Sequence, residues 1–325
     1  MEEKTTYAPV IIYTLCRDVH FRRCVESLSR CTDADKTDLF IALDYPAKDS
    51  HKPGWERLKA YLHSDSFGEV KAKFHNVIVQ ERKENYGPSK NFITIRDCCY
   101  SMGYDRYIVS EDDNEFSPNF LDYMNKGLNQ YCNRDDIQAI CGYTPLTIDS
   151  SYPHTAYSSY EYSAWGAGVW KKKFYKYNKE EVIDILKSGI KVWKLFKKEP
   201  RILYTLYRMI NIGAPLYGDT CAVTRSILNN YHSIFPAKSL VRNWGNDGSG
   251  VNCYKIDDRK FVEQEVDTAT TFNFDTYEIP ELDTKVVRKE TSLMWKQKIK
   301  FPYQMIRFYA KYGFTNNQPM PDCSQ

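Results

Sequence analysis

The sequence predicts an α/β fold in which a mostly parallel, Rossmann-like sheet is flanked by helices. Two observations indicate it. Short apolar runs, such as PVIIYTL (9–15) and DLFIALDYP (38–46), alternate with amphipathic segments, such as VHFRRCVESLSRC (19–31), which gives a βαβ order. The 325 residues, 42% of them hydrophobic, are also enough to bury a substantial core.

The alternation continues through the first third of the chain, without a repeat or a low-complexity tract. WERLKAYLHS is typical of a helix, VKAKFHNVIVQER of a third strand, SKNFITIRDCCYSMG of a helix closed by Gly103, and YDRYIVS of a fourth strand. Ligands of such parallel sheets bind at the carboxyl ends of the strands. We therefore expect the functional residues just after these apolar runs.

Composition excludes several classes of protein. The 45 basic and 42 acidic residues leave a net charge of +3, which gives no general argument for nucleic acid as a partner. The ten cysteines show no CxxC spacing, which favours reduced thiols over a disulfide framework or a zinc site. The start is acidic, and its apolar stretch of about five residues is too short for a signal peptide or a membrane span. We expect a cytoplasmic location.

Acidic residues follow two of the predicted strands. Asp44 comes after FIAL, and Glu111, Asp112 and Asp113 come directly after YIVS. A carboxylate cluster in a loop is usually solvated surface. At the end of a buried strand, however, such acids repel one another unless a cation compensates, and their hard oxygens suit Mg²⁺ or Mn²⁺. A divalent ion could hold a nucleotide diphosphate there, since no GxGxxG or GxxxxGK[ST] motif offers another phosphate site.

In their order along the chain, these motifs resemble nucleotide-sugar glycosyltransferases of the GT-A fold over most of residues 8 to 260. The resemblance is to bacterial capsular and surface polysaccharide enzymes and, distantly, to animal N-acetylglucosaminyltransferase I. Besides Asp44, the matching segments are IIYTLCRDVHFRRCVESL, SEDDNEFSPNFLDYM, SAWGAGVWKKKF and SLVRNWGNDGSGVNC. It implies transfer of a sugar from a nucleotide sugar to a hydroxyl of a glycan or lipid-linked oligosaccharide in surface polysaccharide synthesis. UDP-N-acetylglucosamine is the first donor to test.

The resemblance also implies roles for the residues at the strand ends. It implies that Asp113 binds Mn²⁺ or Mg²⁺, that Glu111 and Asp112 contact the donor sugar or ribose, and that Asp44 contacts the nucleotide base. The first motif would supply further nucleotide contacts from Thr14 and from Arg17 or Arg22. The choice of arginine stays open, because the cysteine-arginine-aspartate order here differs from the cysteine-aspartate-arginine order of the animal enzyme.

Three further segments contain candidates for donor binding. Lys90, near the start of a predicted helix, could join the helix amides in an anion site, or it could be a solvent-exposed lysine. Trp165 and Gly166 could form a platform for the donor sugar, or a tight turn packed on the core; the resemblance favours the sugar pocket. Arg242 opens a glycine-rich loop (242–250) that we expect to fold over the donor phosphates or close the pocket as a lid.

An inverting transfer needs a general base that takes a proton from the acceptor hydroxyl. Asp219 begins a predicted helix, and Asp247 lies in the glycine-rich loop. Their structural alternatives are a helix N-cap and an Asn-Asp-Gly turn. Relatives carry an acid at the position of Asp219, so Asp219 is favoured. The resemblance to the animal enzyme favours inversion, and a retaining mechanism stays open.

Two segments combine basic and aromatic residues at helical spacing, at 181–213 and 294–314, the second forming a C-terminal helical tail. A solvated basic face is one interpretation, and peripheral contact with an anionic membrane surface, at the inner face of the cell membrane, is the other. Pro302 is expected to break or start a helix in the second segment.

The expected organisation is a nucleotide-sugar-binding half (1–115), an acceptor-side half of the same catalytic domain (116–260) and a C-terminal tail (261–325). Two other function classes stay open. A nucleotidyltransferase would normally carry a glycine- and basic-rich loop after the first strand, whereas TLCRDVHFRRC contains no glycine. A non-catalytic carbohydrate-binding protein of the same fold would show no metal-dependent nucleotide binding.

Overall fold

A central eight-stranded sheet organises the computed structural model, which describes residues 7–145, 148–149, 151–249, 265–282 and 295–314. Helices flank the sheet, and the predicted α/β class with a mostly parallel sheet is confirmed. The strands of this sheet are β1 (Val10–Thr14), β2 (Asp38–Leu43), β3 (Asn76–Glu81), β4 (Arg106–Glu111), β6 (Ile137–Cys141), β7 (Ala156–Ser159), β8 (Ala167–Trp170) and β9 (His232–Pro236). Two short strands, β5 (Asn114–Phe116) and β10 (Val241–Asn243), form a separate ribbon.

The strand order is β3-β2-β1-β4-β8-β6-β9-β7. In the first half of this order β1 pairs in parallel with both β2 and β4, and β2 pairs in parallel with β3. β8 then pairs antiparallel with both β4 and β6, and β7 pairs antiparallel with β9. The carboxyl ends of β1, β2 and β4 therefore lie at one edge, where the acidic residues were expected.

The helices are α1 (Asp18–Leu28), α2 (Lys52–Leu62), α3 (Asp65–Lys71), α4 (Gly87–Ser101), α5 (Phe120–Gln130), α6 (Lys179–Lys187), α7 (Gly189–Lys198), α8 (Pro200–Ile212), α9 (Gly218–Asn229) and α10 (Trp295–Tyr312). The segment VKAKFHNVIVQER is shared between the end of α3 and the strand β3, so its first residues are not strand.

Two details of the helices differ from expectation. Pro302 lies inside α10 rather than at one of its ends; the residue is exposed, so water can reach the backbone carbonyl that loses its intrahelical partner. The helix predicted from Ser89 onward, α4, begins two residues earlier, at Gly87, with Pro88 in its first turn.

The chain divides into two compact units. The first comprises Met1–Ser159, Ser163–Phe174 and Ser233–Leu282, and the second Tyr160–Tyr162, Tyr175–His232 and Asp283–Gln325. Each has its own core. The first buries residues of the sheet, α1 and α5, whereas the second packs α6 to α10 around Tyr207 and Phe308. The functional halves expected at 1–115 and 116–260 stay a prediction.

Two findings bear on the class of protein. Within the described ranges, no helix is both long enough and apolar enough to cross a bilayer. The eight cysteines of these ranges are all unbridged; Cys253 and Cys323 lie outside them.

Candidate functional site

The carboxyl ends of β1 and β4 bring an acidic pair to the edge of the sheet. Glu111 ends β4, and Asp112 and Asp113 form the turn into β5. Both aspartates are only 4% exposed, so the apolar strands hold two carboxylates out of water. Buried carboxylates need a compensating positive group or several hydrogen bonds to remain ionised.

Arg17, which directly precedes α1, supplies the positive group. Its Nη1 donates to Oδ2 of Asp113 at 2.6 Å, and its Nη2 donates to Oδ1 of Asp112. One guanidinium therefore bridges both carboxylates. Burial alone would lower the pKa of Arg17, but the two carboxylates outweigh this effect and raise its pKa above the ordinary value, so Arg17 is a permanent cation here.

Thr14 completes the contacts of Asp112. As the last residue of β1, it donates from Oγ1 to Oδ2 of Asp112 at 2.6 Å. Burial raises the pKa of Asp112, and Arg17 opposes that effect. Both oxygens of Asp112 thus have protein donors.

The short ribbon ties a distant loop to Asp113. β10 pairs antiparallel with β5, so that Asn243 lies opposite Asn114. Asn243 donates from Nδ2 to Oδ1 of Asp113 at 2.8 Å and to Oδ1 of Asn114 at 2.9 Å. The backbone N–H of Trp244 donates to the carbonyl of Asp113 at 2.9 Å. Since Arg17 bonds to the other oxygen, each carboxylate oxygen of Asp113 has a protein donor.

Gly245 packs directly against the acidic pair. A Cβ at this position would lie 2.1 Å from Oδ2 of Asp113 and 3.0 Å from its carboxyl carbon. The residue is therefore needed for close approach. Its N–H donates to Oδ1 of Asn243 at 2.9 Å, which fixes the start of the loop. Gly250, the last residue of the expected loop, lies outside the described residues.

The indole of Trp244 is held by cations and by an acid. The guanidinium carbons of Arg23 and Arg242 lie 4.1 and 3.8 Å from the centroid of its ring, and its Nε1 donates to Glu115 at 2.7 Å. Such cation–π contacts hold the arginines in place at little cost in solvation. Arg242 therefore belongs to the same loop-anchoring cluster.

Asp247 lies farther along this loop and pairs with α1. Its Oδ2 is 3.2 Å from Nε2 of His20, and its Oδ1 accepts the N–H of Ser249 at 2.8 Å. Burial raises the pKa of Asp247, but the bonds from Ser249 and the charges of His20 and Arg17 outweigh it and lower the pKa. Asp247 is therefore a weaker base than an ordinary aspartate.

The carboxylates suit a hard divalent cation in their chemistry, but their present partners compete with one. Among the described residues, no three His, Cys, Asp or Glu side chains converge on a point where they could hold a metal. Asp113, the predicted ligand, already has Arg17 on one oxygen and Asn243 on the other. A metal at Asp113 would therefore have to share this carboxylate with the cation Arg17 or displace it.

Asp44 and Lys90 have protein partners at the same side of the sheet. Oδ1 of Asp44 accepts the N–H of Tyr45 at 2.9 Å and that of Tyr86 at 2.8 Å, and Oδ2 lies 3.3 Å from Nδ2 of Asn85. Asp44 thus ties the end of β2 to the start of α4. Nζ of Lys90 is 3.7 Å from the ring centroid of Tyr86 and is exposed. The contact of Asp44 with the nucleotide base and that of Lys90 with the diphosphate stay predictions.

The other donor-site candidates of the first unit have structural contacts. Arg22 lies over the ring of Tyr61, 4.2 Å from its centroid, so Arg17 is the arginine that contacts the acidic pair. Trp165 packs edge-on against Tyr143 at 4.5 Å. Gly166 has a φ of +69°, and a Cβ there would lie 2.9 Å from Phe120, so a close-packed turn requires glycine at this position.

Asp219 belongs to the second unit. It lies exposed in the first turn of α9, where its Oδ1 accepts the N–H of Thr220 at 2.7 Å. Tyr217 precedes the helix as its cap residue, so Asp219 is not the N-cap. Its role as the base stays a prediction.

Three contributors to the cluster were not singled out in the sequence. His20 and Asn114 contact the loop through Asp247 and Asn243. The Nδ2 of Asn246 is buried and has no hydrogen-bond partner among the described residues, so a ligand oxygen could satisfy it. The position of His20 at the start of the helix after the first strand could have marked it as a candidate. Nothing in the sequence marked Asn114 or Asn246.

Comparisons with known proteins add two structural alignments. No family model matches the chain, and no curated protein matches its sequence. A mannosyltransferase from Pyrobaculum calidifontis, PcManGT in complex with GDP-Man and Mn²⁺, aligns with a TM-score of 0.37 and 9% identity, over 68% of this chain and 68% of that chain. TarS from S. aureus aligns with a TM-score of 0.34 and 12% identity, over 70% of this chain and 43% of that chain. Alignments this weak support no assignment of function, which we argue from the site alone.

Replacing Gly245 with alanine should displace the loop from the acidic pair. The new Cβ would clash with the carboxylate of Asp113, which cannot move without losing Arg17 or Asn243. If a nucleotide binds at this cluster, as the sequence leads us to expect, its affinity should fall at least tenfold, equivalent to about 1.4 kcal/mol, in calorimetric titration. Gly68→Ala is the matched control, because a Cβ at Gly68 meets no atom within 4 Å. Unchanged affinity in Gly245→Ala would contradict the close packing.

Replacing Arg17 with methionine should strengthen binding of Mn²⁺ to the donor-free protein. The change removes the cation that competes for Oδ2 of Asp113 and leaves two buried carboxylates uncompensated. We expect affinity for Mn²⁺ to rise on the order of tenfold, measured by electron paramagnetic resonance of free Mn²⁺. Arg57→Met, which removes a solvent-exposed partner of Asp18, should change nothing. Equal affinities in wild type and Arg17→Met would show that Arg17 and the metal do not compete.

Proposed function

We propose that this chain is a nucleotide-sugar glycosyltransferase of the GT-A type. The observation that carries the proposal is the acidic pair at the end of β4, bridged by Arg17 and closed by the loop that follows β10. The end of β1, the start of α1, the turn after β4 and a loop from residue 243 onward contribute side chains to one cluster. Clusters at this edge of a parallel sheet are typical of ligand sites.

The charge of the cluster indicates what ligand it would take. Asp112, Asp113 and Arg17 together carry one net negative charge, which repels a diphosphate unless a further cation lies between them. Mn²⁺ or Mg²⁺ held by Asp113 would neutralise the diphosphate and the charge that develops on it as it leaves. With a metal at Asp113, the guanidinium of Arg17 would be available to the phosphate oxygens in the paired geometry that arginine favours.

The remaining donor contacts are those that the resemblance to GT-A glycosyltransferases implies. Asp112, held by Thr14, together with Glu111, would face the ribose or donor sugar. Asp44 would contact the nucleotide base, and Lys90 would lie near the diphosphate. Trp165 and Gly166 would close the sugar pocket, and Arg242 would anchor the loop over the phosphates. The proposed donor class is a UDP-sugar, with UDP-N-acetylglucosamine the first to test, and the transfer would invert the anomeric centre.

The proposed base is Asp219, with Asp247 as the alternative. A general base works best when its pKa is near the working pH. The pKa of Asp247 is lowered by its bonds to Ser249 and by the charges of His20 and Arg17, which makes it the poorer candidate. The acceptor would be a hydroxyl of a glycan or lipid-linked oligosaccharide, with the enzyme in the cytoplasm at the inner face of the cell membrane.

The donor class is tested by calorimetric titration with nucleoside diphosphates and nucleotide sugars, first with Mn²⁺ and then with chelator. We expect one nucleoside diphosphate and its sugars to bind with Mn²⁺ and to lose affinity when the metal is chelated. Binding of a nucleoside triphosphate with release of pyrophosphate would indicate a nucleotidyltransferase. Absence of binding by every nucleotide, with or without metal, would indicate a non-catalytic protein.

Asp113→Asn should abolish the Mn²⁺-dependent part of donor binding, because an amide oxygen is a weaker ligand for a hard cation than a carboxylate. Turnover should fall with it. Asp49→Asn provides the control, since Asp49 is a surface acid paired with Lys52. Donor binding by Asp113→Asn that keeps its dependence on Mn²⁺ would exclude Asp113 as the ligand.

Asp219→Asn should leave donor binding nearly intact and lower the transfer rate by roughly 10²-fold or more, as expected for loss of a general base. Asp184→Asn, an exposed acid of α6 in the same unit, is the control, and Asp247→Asn tests the alternative base. Wild-type transfer rates in Asp219→Asn together with a slow Asp247→Asn would move the base to Asp247.

A further inference from the structure

Two helices of the second unit expose large apolar side chains. On α7 these are Ile190, Trp193 and Phe196, and on α10 they are Ile299, Tyr303 and Ile306, with exposed fractions between 43% and 69%. On each helix the exposed residues, 190, 193 and 196 or 299, 303 and 306, have the spacing of one helical face. We call Ile299, Tyr303 and Ile306 the α10 face.

The opposite face of α10 is packed in the core of the second unit. Phe308 is fully buried against Tyr207, with ring centroids 5.2 Å apart, and the hydroxyls of Tyr207 and Tyr309 lie 2.6 Å apart. Asn211 of α8 donates to the carbonyl of Gln304 at 2.8 Å. A helix that is apolar on both its inner and its outer side needs a second apolar partner for the outer side.

Aromatic stacking joins the two helices. Trp193 stacks on Phe196 with ring centroids 6.0 Å apart and 20° between the planes. Phe196 stacks in turn on Phe301 of α10, at 6.3 Å and 4°. Phe301 is buried and lies on the same side of α10 as Phe308, so this stacking packs α7 against the inner side of α10 and leaves the outer stripe of Ile299, Tyr303 and Ile306 uncovered by it.

The charge on these helices has one sign. The sequence GIKVWKLFKK of α7 contains four lysines, and WKQKIKFPYQMIRFYAKY of α10 contains four lysines and one arginine, whereas neither contains Asp or Glu. Lys298, Lys300 and Arg307 flank the exposed stripe of α10 and are themselves exposed. Apolar residues between cations, with no acid, match a surface that is apolar inside and anionic outside.

We propose that the α10 face binds an anionic lipid bilayer. Ile299, Tyr303 and Ile306 enter the boundary between headgroups and acyl chains, and the flanking lysines contact the lipid phosphates. Self-association through the same face is disfavoured, because a two-fold interface would set these cations against their copies. The inference deepens the membrane location included in the proposed function by naming the surface. Its test uses no nucleotide, so its failure leaves the transferase proposal standing.

The test is cosedimentation of the full chain with vesicles of phosphatidylcholine alone and of phosphatidylcholine with about one third phosphatidylglycerol. We expect binding to the anionic vesicles, loss of most of that binding in high salt because the charges are screened, and little binding to the neutral ones. Comparable binding to both compositions would contradict the role of the lysines.

Variants separate the two parts of the surface. Ile299→Ser/Ile306→Ser should weaken vesicle binding at least tenfold, because two buried aliphatic side chains are lost. Lys298→Gln/Lys300→Gln should weaken it by about tenfold or more through the lost attraction to anionic lipid. Met102→Ser is the control, since Met102 is 50% exposed in the first unit. Circular dichroism verifies folding, and all the substituted positions are exposed, so the substitutions leave the core intact.

Three results would overturn the proposal. One is absence of binding to anionic vesicles by wild type. Another is unchanged binding by Ile299→Ser/Ile306→Ser, which would move the membrane contact elsewhere on the chain. The third is a dimer in sedimentation velocity that this double variant dissociates, without any vesicle binding; the occupant of the face would then be a second copy of the chain.

Discussion

The contact on which the candidate site depends is the bridge from the Arg17 guanidinium to Asp112 and Asp113. Two carboxylates that are 4% exposed at the end of a strand would be costly without a positive partner. With Arg17 between them, one negative charge remains, and a small movement of one side chain opens Asp113 to a metal. The same bridge joins the start of α1 to the turn after β4, so the arrangement of the site and its charge have a common origin.

The loop after β10 depends on this pair in turn. Asn243 and Gly245 approach Asp113 closely enough that one donates to it and the other excludes any side chain. Trp244 is then fixed between Arg23 and Arg242. A ligand that draws Arg17 away from Asp113 would therefore change the contacts of the loop as well. Donor binding and loop position would be coupled through a single carboxylate.

Much of this edge of the sheet was predictable, because it follows from local pattern. Apolar runs ending in Asp44 and in Glu111 to Asp113 indicated parallel strands with acids at their carboxyl ends, and the need for a compensating cation followed from electrostatics alone. That the protein supplies such a cation through Arg17 was not predictable, since the bridge joins residues 95 and 96 positions apart. Tertiary contacts also determine three other features: the need for glycine at position 245, the antiparallel pairings of β8, and the continuation of α10 past Pro302. No local pattern encodes them.

The most direct test of the central claim is amide hydrogen exchange with and without Mn²⁺ and UDP. The account predicts slower exchange at the segments that form the cluster, residues 14–18, 111–116 and 241–247, and no slowing when Mn²⁺ is replaced by chelator. Exchange that is unchanged in these three segments, while nucleotide binding is detected by calorimetry, would contradict it, because the ligand would then bind away from the acidic pair.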